Sequence, residues 1–507
     1  MSTSQLWPRR RDSPISKRCF FFFPGAYWSE VWIKHCSCSS IDHCTLPGWC
    51  RIVTASMSDQ AETTPLLRQR KPTTNSQKET KSDTNTSDHL KSVEEEPESV
   101  TNWANPFTWP ASVYVALLLA SAAAYFSGFI VEPDFDNASP ELCRSTFNYT
   151  FRINAARSQV ERLSTHSWEY GTGVEAMLEL LDPDLTVFAS EPFPADKVQK
   201  LSIKRPPSIL WMQRHIRTGN THTLYADDFS VSDPAALGVT AVMLGQKDPK
   251  TFQAAMKQKD YLLNDAKRYG NGAISHRVEV AELWSDAISM FPPFLAFYAV
   301  AANDLDLMKE AVKQCGLYRE VLMIESGPKR GLWKHIVGPS TMADEGVWST
   351  GASWAAYGMV RVRATISGWR PSNETMSEEL SQLDSWIGEI LDGAIRTDDD
   401  ESGLLRNYLG DEEWFGETSG TTLLAAAAYR MAVLNPTTFA QPKYVDWADR
   451  KRQTVLAIVD ENGYAFPAAN PLKHDSKEPV KESAEGESFL LMLGSAWRDC
   501  VCARVCS

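Results

Sequence analysis

From about residue 150 onward, apolar residues recur at spacings of three and four. This pattern predicts helices over 153–164, 172–181, 233–245, 250–269, 304–322, 351–367, 376–395, 419–434, 443–460 and 485–497. Loops of Gly, Pro, Asn and Asp separate them. Alternation of period two is confined to short stretches such as LTVFAS at 185–190. No exact repeat of fixed length is present, so a solenoid is disfavoured. The expected class is all-α, either a toroid of helical hairpins or a large bundle.

One apolar stretch carries a carboxylate. In ELWSDAISMFPPFLAFYAV (282–300), Asp286 interrupts an otherwise apolar or small run, and Pro292-Pro293 follow six residues later. Proline tolerates the first turn of a helix and disrupts its interior, so a new helix is expected to begin at the proline pair. Asp286 then caps a short turn, or sits on a loop between two apolar elements. In the second case partial desolvation is expected to raise its pKa, as suits a general acid.

The first 150 residues differ in kind. Residues 1–56 show no sustained period, and Met57 makes a natural start, so 1–56 reads as an over-extended gene model. The stretch to 106 is rich in Thr, Ser, Glu, Lys and Asn and poor in apolar residues, the composition of a disordered tail. Within it, ETTPLL (Glu62 to Leu67) resembles acidic dileucine signals read by cytosolic sorting adaptors. No Asp, Glu, Lys or Arg lies between Glu98 and Glu132, and the apolar part, 107–131, has the roughly 25 residues that span a bilayer core of about 30 Å. Lys and Arg concentrate before this span, which places the tail in the cytosol. Acceptor sequons at Asn137, Asn148 and Asn373 follow it. The expected organisation is a tail (1–106), a transmembrane anchor (107–131), a linker (132–149), a globular domain (150–497) and a short tail (498–507). Such a protein is a single-pass type II membrane protein whose large domain lies in the lumen of the secretory pathway or a vacuole, or outside the cell.

Charge and composition narrow the partners. The net charge is −13 with no long basic run, which argues against nucleic acid. Seventeen tryptophans suit both core packing and platforms for sugar rings. The ten cysteines cluster at the two ends, with neither zinc-finger spacing nor a recognisable disulfide framework, and no metal or other cofactor is expected. Several stretches share one form, a loop with Trp, Gly and a polar group followed by a helix of small residues. They are THSWEYGTG (Trp168), GAISHR (His276, Arg277), GLWKHIV (His335), DEGVWSTGASW (Asp344, Trp348, Trp354), EEWFGETSG (Glu417) and SAEGESF (Glu485). Repeated around a toroid, these loops would meet at one mouth.

In this order the motifs resemble those of the unsaturated uronyl hydrolases of glycoside hydrolase families 105 and 88, especially a fungal group similar to bacterial unsaturated rhamnogalacturonyl hydrolase. The resemblance implies an (α/α)6 barrel. It also implies an oligosaccharide substrate left by a polysaccharide lyase, whose C4=C5 double bond is hydrated. It places the acid/base aspartate at Asp286, a basic pair lining the substrate site at His276 and Arg277, a histidine at His335, a tryptophan facing the sugar at Trp348, and a second aspartate at Asp233. Trp168 and Trp354 join the expected substrate-binding set. Where bacterial members carry Trp-Ala-Arg-Gly-Asn-Gly-Trp, this chain reads Trp348-Ser349-Thr350-Gly351-Ala352-Ser353-Trp354, so Thr350 replaces an arginine that helps grip substrate. Two alternatives stand beside this reading. One is a conventional inverting glycosidase with Glu417 or Asp344 as second acid. The other is a tethered sugar-binding protein that has lost catalysis.

Overall fold

The computed structural model describes residues 142–144, 147, 151–202, 205–219, 221–226 and 229–506. The expected tail, dileucine signal and membrane span, and the sequons at Asn137 and Asn148, lie outside these residues. Among the described residues, no helix is long and apolar enough to cross a membrane.

Twelve helices of seven residues or more order the described chain. They are α1 (Phe151–Leu163), α2 (Ser167–Leu181), α3 (Pro207–Gln213), α4 (Gly238–Gly245), α5 (Pro249–Asp260), α6 (Pro292–Ala302), α7 (Leu305–Leu322), α8 (Ser349–Gly368), α9 (Ser377–Arg396), α10 (Thr418–Leu434), α11 (Pro442–Ile458) and α12 (Ala484–Cys502). The even helices form a closed inner ring: α2 packs against α4, α4 against α6, and so on through α12, which returns to α2. Each odd helix from α3 to α11 covers the even helix before it, and α1 covers α12. The result is six hairpins in a toroid.

Side-chain pattern decides which ring each helix joins. In α8 every residue from Ser349 to Ile366 is buried, so no face is left for water. By contrast, α9 buries only Leu383, Ile387, Ile390, Leu391, Gly393 and Ala394, a single stripe at helical spacing. Small residues let the inner helices approach: a Cβ on Gly358 would collide with the carbonyl of Ile288, where α8 crosses the short helix Ala287–Met290. Caps start several helices, with Asp248 on α5, Asp304 on α7 and Ser483 on α12 each accepting a backbone N–H.

Several boundaries differ from expectation. Helix α2 begins five residues early, because the Glu169 carboxylate reaches back to the His166 N–H in a capping box. The predicted 233–245 helix is split, with a 3-10 turn over Asp233–Leu237 led by Pro234 before α4. The LTVFAS stretch forms no strand; it continues from a 3-10 turn at Pro183–Leu185 into turns and bends. The end of the chain is also no mere tail. Helix α12 runs to Cys502, and disulfides join Cys143 to Cys502 and Cys500 to Cys506. The first pair lies 359 positions apart, so no local spacing could have announced it.

One inner carboxyl is stored at a cost. Glu487 on α12 is 1% exposed and its Oε2 has no hydrogen-bond partner, and burial pushes its pKa up to about 9. A folded-state pKa above the unfolded one means that stability falls as pH rises from the ordinary value of 4.5 toward 9. Replacing Glu487 with Gln is therefore expected to stabilise the protein at pH 7 by on the order of 1–3 kcal/mol, with no gain near pH 4. Thermal unfolding of both forms at the two pH values tests this, and an equal gain at both would refute it.

Candidate active site

Because inner and outer helices alternate, all inner helices run in one direction, and their N-terminal ends gather the candidate residues. Short strand pairings set the register. Strand β1 (Leu283–Trp284) pairs antiparallel with β2 (Ile336–Val337), Leu283 opposite Val337 and Trp284 opposite Ile336. This places Asp286, just after β1, beside His335, just before β2. A bridge between Ile336 and Asp344 folds the next loop onto the same place, and a bridge between Trp348 and Tyr408 brings in the segment carrying β3 (Leu405–Arg406).

Asp286 occupies the cap position of Ala287–Met290, but its side chain accepts no capping hydrogen bond. Its Oδ2 lies 3.5 Å from His335 Nε2, longer than a well-formed hydrogen bond but within ion-pair range. His335 Nδ1 is 2.9 Å from Asp344 Oδ2, so one buried imidazole stands between two carboxylates. Burial opposes charge on His335, yet the Asp286 and Asp344 charges outweigh it and its pKa is raised. The same pairing overturns the expectation for Asp286. Burial alone would raise its pKa, but the positive charge of His335 at ion-pair distance holds the carboxyl below its ordinary value. Asp344 is held at about 2, against its burial, by hydrogen bonds from His335, Tyr408 and the Gly346 N–H.

The remaining expected residues fall around this pair. His276 is buried and stacked on Trp284 with ring centres 4.5 Å apart. Its Nδ1 meets Ser232 Oγ at 2.7 Å and lies 4.0 Å from Asp233 Oδ1. Burial lowers its pKa to about 3, so it is a neutral polar group. Trp284 is in turn fixed by its Nε1–H to Glu282, at 2.9 Å. Trp348 lies against His335 with ring centres 4.6 Å apart and donates its Nε1–H to Asn407. Trp168, in the first turn of α2, donates to Glu485 Oε1 at 2.7 Å. Burial, reinforced by the charges of Glu169, Asp286 and Asp233, pushes the Glu485 carboxyl well up, so a neutral acid stands near Asp286. Arg277 pairs its backbone with Ser230 and extends its guanidinium over Phe229, which is 70% exposed. Trp354 sits deeper, within the core, edge-on to Phe489 at 4.7 Å.

Thr350 is wholly buried in the first turn of α8 and its Oγ1 has no partner. The next residue must be glycine, because a Cβ on Gly351 would collide with Ser285 Oγ and crowd the His335 ring. The candidates for an inverting pair are differently employed. Glu417 caps α10, its oxygens taken by the N–H groups of Ser419, Gly420 and Ala469 and by Ser349 Oγ, and it is wholly buried. Asp344 serves His335. Among the described residues, His335, Asp344 and His474 have ligand atoms within 4.8 Å of one another; here His335 Nδ1 and the Tyr408 hydroxyl both lie within hydrogen-bond reach of Asp344 Oδ2. The sequence reading passed over Trp284, Tyr408 and His474. Trp284 lay inside a quoted motif; Tyr408 and His474 carried no local signal.

Comparison with known proteins bears on the fold and the family. The profile of Glycosyl Hydrolase Family 88 matches residues 147–476. The chain is 23% identical over 224 residues to the unsaturated rhamnogalacturonyl hydrolase YesR of Bacillus subtilis (strain 168), a match covering 43% of this chain and 59% of that protein's length. In fold it is similar to a possible member of family GH105 from Salmonella enterica (TM-score 0.53, 14% identity, 71% of this chain and 95% of the other). It is likewise similar to a family 105 glycoside hydrolase from C. acetobutylicum (TM-score 0.53, 12% identity, 68% and 98%). These likenesses support the (α/α)6 toroid built up above. The profile match, running across most of the described toroid and its mouth, shows that the chain belongs to glycosyl hydrolase family 88.

Proposed function

We propose that this protein hydrolyses unsaturated uronyl oligosaccharides of the pectin or rhamnogalacturonan type, by hydrating the C4=C5 double bond with Asp286 as general acid and base. The observation that carries this reading is the Asp286–His335 pair at the mouth of the toroid, one imidazole poised between two carboxylates. Such a pair shares a single proton. At rest it lies on His335. A uronide brings its own carboxylate, and a second negative charge near Asp286 raises that residue's proton affinity. The proton then passes to Asp286 and on to C4 as water adds at C5, and the water's proton returns to Asp286. The resulting hemiketal opens and releases the neighbouring sugar. His276 and Trp348 orient the ring, and Arg277 supplies a cation at the rim in place of the arginine that Thr350 replaces. The name of the Bacillus relative supports the rhamnogalacturonan-type substrate.

The two disulfides suit an oxidising compartment, and Asn373 is exposed at the end of a short helix, open to glycosylation. Both support a lumenal or extracellular domain carried by the expected single-pass anchor.

The test is loss of the double bond's ultraviolet absorbance when the purified protein meets unsaturated galacturonyl-rhamnose or unsaturated glucuronides. Turnover is expected. Binding of these uronides without turnover would favour the second reading, a lapsed enzyme, which the buried and unpartnered Thr350 hydroxyl motivates.

A further inference from the structure

Asp344, Tyr408 and His474 stand behind His335, on the side away from Asp286. The Tyr408 hydroxyl donates to Asp344 Oδ2 at 2.5 Å, the same oxygen that takes His335 Nδ1, and the Gly346 N–H donates to Oδ1 at 2.9 Å. His474 Nδ1 lies 2.8 Å from the Tyr408 oxygen and 3.4 Å from Asp344 Oδ2. A phenol has one proton. Since Tyr408 gives it to Asp344, its oxygen accepts from His474, which must therefore carry its proton on Nδ1. The His474 ring stands edge-on to His335, with centres 4.5 Å apart, and its backbone carbonyl is held by the Asn407 side chain that also holds Trp348.

We propose that Asp344, Tyr408 and His474 form a positioning set that orients His335 and sets how firmly it holds its proton. The set thereby governs when the Asp286–His335 pair can deliver a proton to substrate. This rests on the reading of Asp286 as acid and base, and adds the residues that tune it. The groups facing His335 are Asp286 after β1, the Trp284 ring, Trp348 and Gly351 at the start of α8, Asp344, His474, and the nearby His276. Only Asp286 and Asp344 among them are negative. Two imidazoles flanking one carboxylate resist double charging, and His474, lowered by burial and by the His335 charge, is the one left neutral.

The set makes two substitutions act in opposite directions. Asp344→Asn removes one of the two charges that hold the His335 proton, so the His335 titration midpoint should fall by about one pH unit or more. Tyr408→Phe removes a donor that neutralises part of the Asp344 charge, so the full charge bears on His335 and its midpoint should rise. His335 is followed by nitrogen-15 NMR of its imidazole in the protein without substrate, and the alkaline limb of kcat should move with it in each variant. Midpoints unchanged within about 0.2 unit, or moving the same way in both variants, would overturn the proposal. Tyr408→Phe keeps the aromatic ring and leaves the test open if Asp344→Asn does not fold. Opposite NMR shifts without turnover of any unsaturated uronide would uphold the positioning set and count against the hydrolase reading instead.

Discussion

Replacing Asp286 with Asn is expected to lower kcat on an unsaturated uronyl disaccharide by roughly a thousandfold or more, about 4 kcal/mol of transition-state stabilisation. Asparagine keeps the size and planarity of the side chain but neither gives nor takes the proton. It also removes one of the two anions beside His335, so the proton reserve goes with the carrier. The substitution acts on stability as well, within a defined window. Asp286 has a depressed pKa, so its contribution is present above the ordinary value of 3.8 and is lost as pH falls through the folded-state value. His335 has a raised pKa, so its contribution is complete below 6.5 and is lost as pH rises through its folded-state value. The pair therefore stabilises the fold most between about pH 4 and 6.5. The variant should lose stability there, match the parent at acid pH where Asp286 is protonated, and equal or exceed it at alkaline pH where the parent's buried carboxylate loses the His335 charge. Steady-state assays, circular dichroism and melting curves across pH check both parts. A variant that keeps a tenth of the parent kcat would remove Asp286 from the chemistry.

That prediction depends on a feature visible in the sequence and on one that was not. A carboxylate in an apolar run beside a proline pair was conspicuous, as were the stretches carrying His276, His335 and Trp348, and the structure gathers all four at one mouth. The direction of the Asp286 pKa was misread, because burial is a local property and charge pairing is not. His335 sits 49 positions away and reaches Asp286 only through the two-residue ladder between β1 and β2, too short to leave a period. Tyr408 and His474 come from loops whose sequence says nothing of chemistry; their roles exist only once Asp344 is in place. The same division holds for the fold. The inner helices were legible because an all-round apolar or small pattern has few alternatives. Helix α3, seven residues long, and the Cys143–Cys502 link across the whole domain depend on closure of the ring, which no window of sequence contains.

The second large effect lies at the far end of the barrel, where the inner helices end on buried charge rather than chemistry. Arg430 of α10 is 2% exposed. It pairs with Glu179 of α2 at 3.0 Å and with Asp499 of α12, donates to Ser495, and lies over the Phe188 ring at 4.0 Å. Arg361 and Tyr357 of α8 complete the ring by donating to Glu179 at 2.8 and 2.6 Å. Arg430 Nε also donates to the Tyr357 hydroxyl at 3.4 Å, so one side chain joins four inner helices directly. Burial already pushes the Glu179 carboxyl up against the pull of Arg430. Replacing Arg430 with Met fills much of the volume but leaves Glu179 and Asp499 short of a partner in a medium that solvates them poorly. The expected loss is about 3–5 kcal/mol, a large share of the roughly 5–15 kcal/mol that holds a typical protein together. Urea unfolding should show a lower midpoint with an unchanged slope. Adding Glu179→Gln to Arg430→Met should recover part of the loss, since one of the two carboxylates left with too little positive charge is then gone, and the size of that recovery measures the coupling. The mouth that carries Asp286 lies at the opposite ends of these helices, so kcat of the folded fraction should stay at the parental value. A loss below about 1 kcal/mol would mean that the cluster is replaceable packing rather than the clasp of the ring.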